Sequence, residues 1–103
     1  MTSGRTHILF FNLEEQSWVL VSHDETIVKK VPDGVEYTPI SDDLRIFNVM
    51  VNGYRYESGC PGIIFFADGS REYAEMEIEN IKEGKRYLLK LNPYVVVPEI
   101  QSL

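Results

Sequence analysis

The hydrophobic residues of this chain occur mostly in short runs of about four to eight residues, separated by turn-forming residues. Val, Ile, Phe and Tyr dominate these runs, and such residues favour strands over helices. The pattern predicts ten strands, at residues 6–13, 17–22, 26–31, 35–40, 44–51, 54–57, 62–67, 71–79, 86–91 and 94–98. We therefore expect a mainly β protein, with antiparallel β-sheets in a sandwich-like arrangement and one domain over residues 1–103.

Two turns have specific sequence signals. In VMVNGYRY, Asn52 and Gly53 suit the two positive-φ positions of a type I′ hairpin turn. In FFADGSRE, Asp68 can bond its own backbone, and Gly69 takes a positive φ at little cost. We predict these four residues to be structural turn residues.

The stretch GIIFFADGSREYAEMEIEN, residues 62–80, combines two strands of different character. In the second strand apolar and acidic residues alternate, which predicts one core face and one acidic face in water. The acidic positions are Glu75, Glu77 and Glu79. The first strand has no polar position between Ile63 and Phe66. It is therefore buried on both faces, or one face is covered by something outside this chain.

The charge and the cysteine content exclude several kinds of function. The net charge is -6, the pI is about 4.8, and the ten basic residues are dispersed, so we expect no nucleic-acid partner. Cys60 is the only cysteine, which rules out an internal disulfide and a thiolate zinc site within the chain. We predict no cofactor, no metal site and no catalytic residue, and expect His7 and His23 to be edge or turn histidines.

The acidic strand allows two interpretations. Its three glutamates could bind calcium or act as a general acid and base. Alternatively, they form cross-strand ion pairs with basic residues of the next strand or the loop before it, which we favour; these are Lys82, Lys85, Arg86 and Lys90. The aromatic residues Tyr54, Tyr56 and Trp18 likewise suit either packing or a ligand platform.

Four segments give the chain a family resemblance. In order they are THILFFNLEEQSWVLVS, VPDGVEY, GIIFFADGSREYAEMEIEN and GKRYLLKLNPYVVV. Together they resemble the globular domain of the H-type minor pseudopilins of type II secretion and the related FimT-like minor pilins. The matching positions are Trp18, Pro32, Gly34, Ile64, Phe66, Asp68, Gly69, Ser70, Ile78, Gly84, Tyr87 and Leu89. Two positions depart from the family pattern, because Ala67 replaces a proline and Asn92-Pro93 replaces a glycine turn.

The resemblance implies a structural subunit, not an enzyme. Such a subunit assembles with other major and minor pseudopilins into a type II secretion or type IV pilus-like fibre that supports protein export. It lies at the periplasmic face, and the inner membrane holds it through an N-terminal helix that this chain lacks. The candidate partner interface comprises Ile63, Phe65, Tyr54, Tyr56, Glu75, Glu77 and Glu79. The face that carries the three glutamates is either a solvated outer surface or a docking patch for a basic partner. No Lys or Arg follows Lys90, so we expect none of the DNA binding associated with some FimT-like proteins.

An alternative is a soluble extracytoplasmic module that binds a small ligand such as a sugar. In that case Trp18 or the tyrosines would form a flat, exposed stacking surface with polar neighbours. A pseudopilin needs an apolar groove for its helix instead, so the surroundings of the exposed aromatic residues distinguish the two.

Overall fold

The computed structural model describes residues 5–23, 29–94 and 97–103, and these residues contain nine strands and no helix. The strands are β1 (Thr6–Asn12), β2 (Ser17–His23), β3 (Thr38–Pro39), β4 (Leu44–Val51), β5 (Tyr54–Tyr56), β6 (Gly62–Phe65), β7 (Ala74–Asn80), β8 (Lys85–Leu91) and β9 (Glu99–Ser102). Sheet 1 has the order β3-β2-β1-β6, and sheet 2 has the order β5-β4-β7-β8-β9. Every pairing is antiparallel, so the prediction of an all-β protein with antiparallel sheets is confirmed.

The two sheets share a hydrophobic core. Sheet 1 contributes Phe11 and Ile63. Leu13, which follows directly after β1, belongs to the same cluster. Sheet 2 contributes alternate residues of its strands to the same cluster, namely Ile46, Val49, Val51, Ala74, Met76 and Leu91. The sheets therefore pack face to face, as in a sandwich.

Strand β6 is buried on both of its faces at Ile63 and Ile64, which is the first of the two alternatives that its sequence allows. Ile63 lies in the core between the sheets, and Ile64 points to the opposite face of sheet 1. There Ile64 packs with Ile8 and Phe10, and residues Val31 and Tyr37 pack against that cluster. The second face is thus covered by the chain's own segment before β3.

Three predicted strands need correction. Residues 29–31 are not a strand, and residues 26–28 lie outside the described residues. The strand predicted at 35–40 is only Thr38–Pro39, because proline has no N–H with which to continue a ladder. The strand predicted at 94–98 is wrong in its described part, since Tyr94 lies in a turn after Pro93 and residues 97–98 are not extended in a sheet; residues 95–96 lie outside the description. Glu99–Ser102 forms the last strand instead.

The two predicted turns have the expected backbone. Asn52 and Gly53 have φ angles of 50° and 87° and join β4 to β5, with Val51 opposite Tyr54. Gly69 has a φ of 93°, and Asp68 accepts hydrogen bonds from the N–H of Ser70 at 2.9 Å and from its hydroxyl at 2.6 Å.

A side chain that the sequence did not single out connects the two sheets. Gln16 lies in the turn between β1 and β2, and its Oε1 accepts a hydrogen bond from the Ile46 N–H at 2.7 Å. Its Nε2 donates to the carbonyls of Ile46 at 3.0 Å and Leu13 at 2.8 Å. The amide of Gln16 therefore bonds β4 much as a neighbouring strand would.

Candidate binding groove on sheet 1

The strand register shows which side chains share the face of sheet 1 that meets sheet 2. Leu9 lies opposite Leu20 on one side and Ile63 on the other, and Phe11 lies opposite Trp18. Phe11 and Ile63 belong to the core between the sheets. Since directly opposite residues project to the same face, Trp18 and Leu20 point to the core side as well.

Sheet 2 does not cover these two side chains. Trp18 is 37% exposed and Leu20 is 52% exposed. In the described ranges the core between the sheets takes its residues from β1 and β6 but none from β2. The face of sheet 1 thus extends beyond the area that sheet 2 buries.

The uncovered part of the face forms an open groove of about 350 Å³. Its lining residues are His7, Leu9, Trp18, Leu20 and Phe65. Four of them are hydrophobic, and such a concave apolar surface on a small domain is typical of a site that binds another apolar group. We refer to these five residues as the apolar groove.

The residues of the predicted interface lie in three separate places. Phe65 lines the apolar groove, whereas Ile63 is fully buried between the sheets and is not available to a partner. Tyr54 and Tyr56 are exposed on the edge strand β5. The three glutamates of β7 lie on the outer face of sheet 2, away from the core positions of that strand.

Basic residues flank each glutamate of this outer face. Glu75 lies opposite Lys90 of β8, and Glu79 lies between Arg45 of β4 and Arg86 of β8. The third glutamate of the strand, at position 77, has the Arg55 guanidinium 3.7 Å from its carboxylate. In the part of the chain that the structure describes, Glu77 alone of the three forms an ion pair, and its partner is Arg55 of β5. The ion pairs predicted with the basic residues of β8 and the loop before it are not formed there. Within the described residues, no three His, Cys, Asp or Glu side chains lie close enough together to hold a metal ion.

Burial and hydrogen bonds raise the pKa of two tyrosines. The Tyr73 hydroxyl donates a hydrogen bond to Glu75, and this bond raises the pKa of Tyr73. Burial, and then the hydrogen bond with the Cys60 thiol, raise the pKa of Tyr37 to about 12. Both shifts favour the protonated phenol, whose O–H can donate a hydrogen bond.

The sequence pointed to Phe65 and Trp18 but missed His7, Leu9 and Leu20 as groove residues. The run SWVLVS is apolar at successive positions, which indicates burial on both faces. Val19 and Val21 do pack on the far side of sheet 1. The exposure of Leu20 depends on where sheet 2 ends, which the residues around Leu20 do not indicate.

Comparisons with protein-family models, with curated proteins and with solved structures find no match to this chain. The resemblance to minor pseudopilins therefore rests on the quoted residue pattern alone. Among the residues that the structure describes, no helix has the length and apolar character needed to cross a bilayer.

Proposed function

We propose that this chain is the globular domain of a structural minor pseudopilin, a subunit of a type II secretion or type IV pilus-like fibre. It acts by assembling with other pseudopilins at the periplasmic face and so supports protein export. In this proposal the full-length protein is held in the inner membrane by an N-terminal helix that precedes the globular domain.

The observation that supports the proposal most strongly is the apolar groove. A helix with an apolar face could lie along it and cover the exposed side chains of Trp18 and Leu20 together with the half-buried Phe65. Strand β1 starts at Thr6, next to the groove residue His7. A helix joined to the start of β1 could therefore reach the groove without a long linker.

The groove favours this function over sugar binding. A sugar site combines an exposed aromatic ring with several polar groups that bond the hydroxyls. The neighbours of Trp18 in the groove are Leu9, Leu20 and Phe65, with His7 as the single polar residue.

Complementation of a deletion strain of the source organism tests the proposal. We expect Leu20→Lys to reduce incorporation of the full-length protein into the fibre, and export with it, by about tenfold, because the packed helix would bury an unpaired ammonium group. Urea unfolding of the isolated domain should change little, since Leu20 is 52% exposed. The readouts are fibre content by immunoblot and the amount of exported protein.

The matched control is Ser58→Lys, which adds the same charge at an exposed loop position away from the groove residues. It should complement like the wild type. Full complementation by Leu20→Lys would contradict the role of the groove, and a deletion strain with normal export and normal fibres would contradict the proposed function itself.

A further inference from the structure

Strand β9 forms one edge of sheet 2, and all four of its residues are exposed. Exposed apolar side chains lie in and beside it. Val97 is 73% exposed, Ile100 is 66% exposed, and Leu103 is 63% exposed. An edge of this kind offers unpaired backbone N–H and C=O groups to a further strand.

One hydrogen bond fixes which backbone groups of β9 point outward. The N–H of Leu103 donates to the carbonyl of Arg86 at 2.9 Å, so this residue faces β8. Residues of an antiparallel ladder alternate between facing the neighbouring strand and facing away from it. Gln101 therefore also bonds β8, whereas Ile100 and Ser102 direct their N–H and C=O groups to the open side.

The other sheet edges in the described part of the chain are less suited to strand addition. Strand β3 has two residues, and Pro39 has no N–H. On β6, the Ile64 N–H donates to the Glu72 carboxylate at 2.8 Å, and its carbonyl accepts the Glu72 N–H at 3.0 Å. Strand β5 has three residues centred on Arg55, so two copies paired there would oppose two guanidinium groups.

We propose that β9 pairs with β9 of a second copy of this chain, antiparallel, about a twofold axis at Gln101. Ile100 of each copy then lies opposite Ser102 of the other, and each such pair exchanges two hydrogen bonds. Glu99 lies opposite Leu103, so no two like-charged side chains face each other. The two five-stranded sheets join into one continuous sheet.

The outward-facing residues select this register over its neighbour. Pairing centred on Ile100 would place Ser102 opposite Pro98, which lacks an N–H, so the Ser102 carbonyl would have no donor opposite it. Pairing centred on Gln101 uses every outward N–H and C=O of Ile100 and Ser102. The interface is isologous, as a closed dimer requires.

The proposal concerns sheet 2 and is independent of the apolar groove on sheet 1. Its first test is sedimentation equilibrium of the wild-type chain over a concentration series. We expect a mass that rises from 11.9 kDa to twice that value. A chain that stays monomeric up to about 1 mM would overturn the proposal.

Amide hydrogen exchange by NMR then identifies the surface. Exchange at Ile100 and Ser102 should slow as the dimer forms, since their N–H groups are free in the monomer. Exchange at Gln101 and Leu103 should change much less, because both bond β8 in either state. A dimer that leaves Ile100 and Ser102 unprotected uses another surface, such as the groove, and this outcome would also overturn the proposal.

A charge pair at the twofold axis provides the sharpest variant. Gln101→Lys and Gln101→Glu each place like charges opposite one another and should each raise the dimer Kd by roughly tenfold. An equimolar mixture should restore the dimer, since the opposed charges then attract. Ser58→Lys is the control for added charge and should dimerise like the wild type. Dimerisation of both Gln101 variants at the wild-type Kd would refute the register.

Discussion

At the scale of single residues, Gly62 is where the packing of sheet 1 leaves the least room. A Cβ atom at this position would lie 2.8 Å from Cε1 and 2.9 Å from Cδ1 of Phe10, and 3.0 Å from Cγ2 of Ile8. Both neighbours are almost completely buried, so neither ring nor methyl group can move away freely. Gly62 is required here for space, since its φ is not positive.

We predict that Gly62→Ala lowers the free energy of unfolding by about 1–3 kcal/mol, because the extra methyl group overpacks a filled cluster. Urea denaturation followed by tryptophan fluorescence measures the change. Ser58→Ala, at an exposed loop position, should stay within about 0.5 kcal/mol of the wild type. An unchanged midpoint for Gly62→Ala would show that the cluster of Ile8 and Phe10 is looser than the distances indicate.

The turn at Asp68 responds to pH. The hydroxyl of Ser70, and then its N–H, donate hydrogen bonds that lower the pKa of the Asp68 carboxyl. Because the folded state has the lower pKa, the turn is stabilised above the ordinary aspartate pKa. This stabilisation is lost as the pH falls through the lowered value.

Removal of the Ser70 hydroxyl distinguishes the effects of the two hydrogen bonds on the pKa of Asp68. In Ser70→Ala the pKa of Asp68 should rise toward its ordinary value but stay below it, because the backbone N–H still donates. An NMR titration of the side-chain carboxyl carbon measures the shift, with Ser58→Ala as the control. A pKa of Asp68 that is equal in Ser70→Ala and the wild type would assign the whole effect to the backbone.

At the scale of strands, Glu72 closes the free edge of β6. Its Oε1 accepts the Ile64 N–H at 2.8 Å and lies 2.8 Å from the Lys29 ammonium group. Its Oε2 accepts from the Asn52 side chain at 2.5 Å. One carboxylate thus bonds β6, the turn after β4 and the segment that covers sheet 1.

We predict that Glu72→Gln lowers the free energy of unfolding by about 1–3 kcal/mol, because an amide cannot accept all of these hydrogen bonds and leaves donors unpaired. Amide exchange at Ile64 should accelerate in parallel. Glu36→Gln, at an exposed position, is the matched control. Wild-type stability of Glu72→Gln would mean that water replaces the carboxylate at this edge.

Local sequence patterns were sufficient to predict strands that pair with the next strand along the chain. The Asn52-Gly53 turn signal fixes the hairpin of β4 and β5 within a few residues. The residues of β4 do not alternate strictly between the two faces, since Ile46 and Val49 both point to the core around a β-bulge at Phe47. The bulge turns Phe47 outward, where the Arg86 guanidinium lies 4.1 Å from its ring centre.

Strands that depend on distant partners were not predictable in the same way. Strand β9 forms because its residues pair with Leu89 and its neighbours on β8. The more apolar Val97 lies outside this pairing. The burial of Ile64 depends on the segment before β3, and the exposure of Leu20 depends on the extent of sheet 2. Propensity and periodicity describe a strand's own faces but not the extent of the sheet packed against it.

At the scale of the whole molecule, the two proposed association surfaces lie on different sheets. Sheet 1 has the apolar groove on its face, and sheet 2 has the open edge at β9. The two surfaces share no residue. Substitutions at Leu20 and Gln101 therefore test different interfaces, and the failure of one proposal leaves the other standing.

The order of strands in sheet 1 also has a consequence for the way the chain folds. Strands β1 and β2 form a local hairpin, but the other neighbour of β1 is β6, which follows β3, β4 and β5 in the sequence. During synthesis on a ribosome, Ile8 and Phe10 therefore remain on an incomplete, apolar hairpin until β6 has emerged. Long-range pairing of this kind is a slow folding step. Until β6 pairs with β1, the incomplete hairpin exposes apolar surface that promotes aggregation.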